Sequence, residues 1–263
     1  MSLPVKRIYI NSNFKTLDSK SDSDFKFQLS RTFSFPKNSG FYIEDFTCSH
    51  AWYSVEAGLN DSICMRVNTS NFRIELEPGN YTGETFAVAI QNACNIMQPN
   101  IFTVDYNMKQ HNITIKVAGS TTFKVYTDDE ALLIFGTDKT INNIIKNIRG
   151  TSATYSSSQS YTSGFIELLS IRNIYLHSPN LSSFSTYGGK GESNIIKKIP
   201  ITSDFGYLIV DSYTSDSDWL DCSNLSICNL EFQLRDSFGN LVPLHGSTVS
   251  FAIVFSKIAL EDN

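Results

Sequence analysis

Cys48 and His50 stand two positions apart where an apolar run, Tyr42 to Cys48, comes to its end. On a strand, residues i and i+2 share a face. The spacing therefore allows two chemistries: a thiolate–imidazole dyad, or a pair of ligands for a soft divalent metal. Each needs further partners. Cys222 and Cys228 lie six positions apart with no His beside them, so no second ligand pair follows. His111, His177 and His245 complete the four histidines, but no Gly-x-Ser-x-Gly elbow presents a nucleophile.

Other polar runs read as structure. Gly79-Asn80-Tyr81-Thr82-Gly83 has neither the Lys-Ser/Thr end of a phosphate loop nor the three-glycine dinucleotide spacing. It reads instead as a type II turn, with Pro78-Gly79 at its centre and positive φ at Gly79 or Asn80. Gly83 would let a helix start close to the strand it leaves. Asp236 to Asn240 reads as a second turn, with Asp236 accepting a backbone N–H and Gly239-Asn240 at positive φ. One carboxylate there makes no calcium site. Asp216, Asp218 and Asp221 around Trp219, and Asp18, Asp22 and Asp24, are expected to be solvated loops rather than weak calcium sites. Trp52 and Tyr53 are expected in a core or an interface; the sharper alternative is a sugar-stacking platform. The expectation is a non-enzymatic chain with no catalytic, cofactor-binding or metal-binding residue.

The elements that would position these residues are mostly strands. Period-two alternation marks Ile8–Ile10, Phe25–Leu29 and Phe72–Leu76, and apolar runs mark Tyr42–Cys48 and Ile63–Val67. Further strands are expected at 102–106, 112–117, 123–126, 165–176, 195–201 and 207–210. The chain closes on an expected hairpin, Leu230 to Phe255. There Leu230, Phe232 and Leu234 face one way, as do Val249, Phe251, Ile253 and Phe255, with Glu231, Gln233, Ser250 and Ala252 towards solvent. One amphipathic helix stands out at 83–97, where Phe86, Ile90, Ala93 and Met97 recur on one face. Thr82 is its expected N-cap, Glu84 suits its positive end and Pro99 follows it. A shorter helix is expected from Asp128 to Phe135. Thr151 to Ser163 is Ser/Thr-rich and expected to be mobile, as is the glycine-containing loop 182–193.

Composition narrows the class. Of 263 residues, 41% are hydrophobic and 13% aromatic, which fits a packed β protein and excludes a disordered one. A net charge of −5 supplies no general attraction to nucleic acid, so no specific nucleic-acid partner is expected. Lys6-Arg7 and Lys197-Lys198 are expected to be solvated strand ends. No apolar run approaches the ~18 residues of a membrane span, and the first residues do not read as a secretory signal. The Asn-x-Ser/Thr sequons (Asn60, Asn68, Asn80, Asn112, Asn180 and Asn224) are then expected to go unused, and the five cysteines to be reduced and mostly buried.

Three runs belong together: His50-Ala51-Trp52-Tyr53-Ser54-Val55; Ile74 to Gly83; and Phe232 to Leu241 with Leu244-His245-Gly246 after it. With Ile10-Asn11-Ser12, their order and spacing from about residue 7 to residue 256 resemble the penton, or minor capsid, proteins of virophages and of Maverick/Polinton and polinton-like viruses. The resemblance implies an all-β chain. It would be a single jelly-roll β-sandwich over 1–263, to which the chain's own pattern adds one short covering helix at about 83–97, an N-terminal arm at about 1–6 expected to order on assembly, and a flexible loop at about 151–163. It also implies a homopentamer at the fivefold vertex of an icosahedral virion, beside a double jelly-roll major capsid protein. Some members insert an extra domain between strands, and here the expected candidate is the 151–163 loop with the helical patch before it. The alternative reading is a carbohydrate-binding, lectin-like β-sandwich or a host-attachment module, since jelly rolls also carry lectin sites.

Overall fold

The computed structural model describes residues 6–136, 148, 150, 152–181, 186–189, 191–215 and 218–257. In chain order the strands β1 (Lys6–Asn11), β2 (Asp24–Ser34) and β3 (Ser39–Ser49) come first. Next are β4 (Ser62–Val67), β5 (Ser70–Glu75), α1 (Gly83–Met97), β6 (Phe102–Asn107), β7 (Asn112–Val117), β8 (Phe123–Val125), α2 (Asp128–Phe135) and β9 (Tyr161–Thr162). The chain continues through β10 (Asn173–His177), β11 (Ile195–Pro200), β12 (Leu208–Asp211), β13 (Leu220–Asp221), β14 (Ser226–Arg235) and β15 (Val249–Lys257). It divides into two compact units, Met1–Trp52 with Ile171–Asn263, and Tyr53–Ser170. Of the expected N-terminal arm at about 1–6, residues 1–5 lie outside the described residues and Lys6 begins β1.

The first unit is a jelly roll. One antiparallel sheet has the order β1-β15-β3-β12, with β13 also paired to β3; the other has the order β11-β10-β14-β2. Numbering the eight main strands of this unit in chain order, the sheets read first-eighth-third-sixth and fifth-fourth-seventh-second, the double Greek key of jelly rolls. Alternation explains the core. Ile10, Phe41, Phe46, Phe251 and Ile253 of one sheet and Phe25, Ile174, Leu230, Phe232 and Leu234 of the other are buried in a single cluster. Phe232 meets Phe251 edge-on with ring centroids 5.0 Å apart, and Phe25 lies 5.4 Å from Phe232. Such pairs add to the free energy of simple burial.

This arrangement corrects the expected closing hairpin. β14 pairs with β2 and β10, whereas β15 pairs with β1 and β3, so the two strands face each other across the sandwich. The turn after β14 is real but local. Asp236 Oδ1 accepts from the backbone N–H groups of Phe238 and Asn240, and Gly239 takes φ 82°. The turn returns the chain to β14 itself, where Val242 N–H donates to the Leu234 carbonyl at 3.0 Å. Val242 and Leu244 are then buried, and the chain crosses to the other sheet. Facing strands bury both apolar faces against each other, which neighbours in one sheet cannot do. Ala252 and Val254, on the expected solvent face of the central strand β15, are buried as well.

The second unit has its own core, so the one-domain expectation gives way to two compact units. Sheets β5-β4-β8 and β6-β7-β9 contribute Ile63, Met65, Phe123, Ile113 and Ile115, and α1 contributes Phe86, Ala87, Ile90 and Cys94. The helix belongs to this unit and packs on β6. Its N-cap is Thr82 as expected, and Thr85 completes a capping box by accepting from Thr82 N–H at 2.9 Å. Gly83 is required by β6, not by the strand before the helix: a Cβ there would lie 2.1 Å from the Tyr106 ring. The expected type II turn at Pro78-Gly79 is not formed, since neither Gly79 nor Asn80 has positive φ. Gly79 instead exchanges backbone hydrogen bonds with Val55, at 3.0 and 3.1 Å.

The 151–163 stretch is not the mobile loop expected, although Thr151 itself lies outside the described residues. Tyr155 exchanges two backbone hydrogen bonds with Phe123, and Tyr161 is buried in β9 beside β7. Two tyrosines supply the anchoring that the Ser/Thr composition obscures. In the 165–176 run, strand begins only at Asn173, and Ile166 and Ile171 are buried in irregular chain. The loop 182–193 falls partly outside the described residues. Phe251→Ala should cost about 3–5 kcal/mol in urea unfolding of the jelly-roll transition; a loss below about 1 kcal/mol would show that the facing Phe232 contact is not central.

Candidate functional site

The end of β3 carries the residues that most resembled chemistry, and the structure gives them structural work. The His50 backbone N–H donates to the Tyr207 carbonyl at 2.9 Å and its carbonyl accepts from Gly206 at 2.8 Å. Its Nδ1 lies 2.8 Å from the Ser203 carbonyl, which can only accept, so Nδ1 bears the proton. The ring lies against Trp52, centroids 4.4 Å apart, and Trp52 is 1% exposed. His50 thus fastens the 203–207 loop to the strand end. A buried Trp52 offers no platform to a sugar.

Cys48 has a separate role. It is buried, and burial pushes its thiol up to about 12, which favours the protonated, weakly nucleophilic form at neutral pH. Burial likewise raises Cys94 and Cys222 to about 12 and Cys64 to about 11; Cys228 is half-buried, and all five thiols are free.

The acidic loops resolve into local pairs. Asp18 lies 2.7 Å from Lys26, Asp22 2.7 Å from Lys15 and Asp24 3.4 Å from Lys20. The hydrogen bond from Lys26, then that from Thr16, holds the exposed Asp18 carboxyl down at about 2. Asp221 accepts from Ser223, and Asp218 from the Ser215 backbone N–H; Asp216 lies outside the described residues. Among the described residues no three His, Cys, Asp or Glu side chains are gathered as metal ligands.

One charged group departs from its expected place. Lys197, read as a solvated strand end, is mostly buried: its Nζ lies 3.5 Å from Asp211 and donates to the carbonyls of Ile43 at 3.0 Å and Tyr213 at 3.1 Å. It ties β11 of one sheet to β12 and β3 of the other. Ile43 has a carbonyl to give because β12 pairs only with Phe46–Ser49 of β3. A bulge with Asp45 at φ 52° displaces the strand beside that point. A lysine on a strand carries no sequence mark that its ammonium will turn inward.

Two of the runs that carry the family resemblance meet in the structure. Ser54 Oγ donates to the Gly79 carbonyl at 3.1 Å and accepts from Tyr81 N–H at 2.8 Å, beside the Val55–Gly79 pairing. Residues 54–55 and 79–81 therefore form one hydrogen-bonded knot within the second unit.

The surface also shows what sequence reading missed. β12 is an edge strand whose Ile209 points inward while Leu208 and Val210 point out. Tyr207 and Tyr213 flank them and are exposed. The unbroken Leu-Ile-Val run was the available signal, since a strand with one solvated face alternates. Among the described residues no helix is long and apolar enough to cross a membrane.

Comparison with known proteins is sparse. No family model matches the chain, and no curated protein does. Among solved structures, the selenomethionine-labelled mavirus penton protein aligns over 96% of this chain and 100% of its own, at 12% identity and a TM-score of 0.49. The strand order in the two sheets, rather than that likeness, defines the fold.

His177 supplies a pH test of the jelly roll. It is buried at the end of β10, and its Nδ1 lies 2.8 Å from Asn194 Oδ1. Burial holds its pKa below the usual 6.5, with Arg235 acting in the same direction and the Asn194 bond and Glu192 opposing. The unfolded chain therefore takes up the proton first as pH falls. The stability is complete above about 6.5 and declines below it, towards the folded value. Urea midpoints should fall between pH 7 and 5, and His177→Gln should flatten that slope; an unchanged slope would contradict the assignment.

Proposed function

We propose that this protein is a structural subunit of an icosahedral virus capsid, a homopentamer at the fivefold vertices beside a double jelly-roll major capsid protein. The observation that supports it is the eight-strand jelly roll of the first unit, a fold used for capsid subunits. Fold alone does not assign function. The weight between capsid and lectin comes from the HAWYSV, GNYTG and QLRDSFGN runs and from the burial of Trp52, which removes the stacking aromatic a lectin reading would use. The role is one of assembly, without catalysis.

The second unit enters this reading as an inserted module. The jelly roll's strand set is complete without Tyr53–Ser170, so this segment is the part free to carry an attachment role. Purified protein should give five-chain particles by native mass spectrometry, and co-expression with a double jelly-roll capsid protein should place it in the particles. A strict monomer at high concentration, together with particles that exclude it, would overturn the proposal.

A further inference from the structure

The two side edges of the jelly roll differ in a way that fits one edge to the other. On one side lie β1 and β2, held together where Lys6 Nζ sits 5.7 Å above the Phe33 ring. On the other side lie β11 and β12, held together by Lys197 and Asp211. β1 and β12 are the two ends of a single sheet, and neither has an outer strand partner among the described residues. An edge strand presents unpaired N–H and C=O groups at alternate residues, and exposed apolar side chains there favour association.

Each edge has an apolar patch and a charge of opposite sign. Leu208 is 57% exposed and Val210 53%, with Tyr207 and Tyr213 beside them in the chain. On the other edge Tyr9 is 72% exposed and Phe14 74%, and Leu17 is fully exposed. Residues 204–215 and 218–221 contain four Asp and no Lys or Arg, a formal −4. Residues 6–37 contain seven Lys and Arg against three Asp, a formal +4. Counting in Glu44, which pairs with Arg7, and both lysines of β11, Lys197 and Lys198, leaves the signs opposed, at +3 and −2.

We infer that the β12 edge of one copy docks on the β1 edge of the next, a heterologous head-to-tail contact between copies of this chain. Charge complementarity selects a second copy as the occupant, because the acidic edge repels another acidic edge and the basic edge another basic one. A contact that joins two different patches closes into a ring when its rotation permits. Strand direction permits it too: in the order β1-β15-β3-β12 every neighbour is antiparallel, so a following β1 continues the alternation. The inference rests on the homopentamer reading and names its interface.

The test uses the full chain in two variants, each altered on one edge at exposed residues. One is Leu208→Lys with Val210→Lys; the other is Tyr9→Asp with Phe14→Asp. Melting temperatures near wild type would show that both fold. Each variant alone should raise the association midpoint in analytical ultracentrifugation about thirtyfold or more. An equimolar mixture should recover association, in species with equal numbers of the two chains, because each variant retains the edge the other lacks. Raising the salt should weaken wild-type association. If wild type and both variants assemble alike, the edge assignment is overturned while the ring reading stands. If folded wild type stays monomeric at high concentration, both fall. If the variants fail alone and the mixture also fails, the contact is not head-to-tail and the inference is overturned.

Discussion

The jelly roll depends on the contact of its seventh and eighth strands through their faces rather than their edges. Phe232 of β14 and Phe251 of β15 meet at 5.0 Å, and Phe25 and Phe46 extend the aromatic cluster into both sheets. Once these rings are buried, each strand must find its hydrogen-bonding neighbours elsewhere: β2 and β10 for one, β1 and β3 for the other. The sheet orders follow. Lys197 completes the closure on the far side, where a buried ammonium is satisfied by one carboxylate and two carbonyls. A charge taken out of water is tolerable with such partners and destabilising when one is removed.

The same topology explains why a second unit can be accommodated. The segment Tyr53–Ser170 lies in the connection between β3 and β10, which belong to different sheets, so no hairpin within the jelly roll is interrupted. Its ends are near one another, with Ser170 Oγ donating to the Tyr53 carbonyl at 2.9 Å. An insert with adjacent ends adds little loop-closure entropy to the host. It still needs a core of its own, and α1 with two three-stranded sheets provides one.

Local patterns were legible in the sequence and long-range pairings were not. α1 and α2 occupy the residues their spacing and caps indicate, and Thr82 and Thr127 cap them. Alternation located β1, β2 and β5, and apolar runs located β3 and β4. Such patterns could not say that β14 and β15 lie in different sheets, since both arrangements place the same residues on an apolar face. Nor could they show that Tyr155 and Tyr161 anchor a Ser/Thr-rich run, because anchoring depends on β7 and β8 being nearby. Cys48 and His50 share a spacing that permits chemistry, but that spacing could not show that Cys48 is buried or that His50 Nδ1 is bound to the Ser203 carbonyl. Lys197 shows the converse, an ordinary strand lysine whose role arises from the opposite sheet.

The functional account is that a closed sandwich with dissimilar edges is a building block, and that its chemistry is complementarity between copies. A cryo-electron microscopy reconstruction of the assembled protein tests this most directly. The account predicts a fivefold ring in which β12 of each jelly roll lies against β1 of its neighbour. Monomers alone, or a ring built through other surfaces with both edges facing solvent, would contradict it.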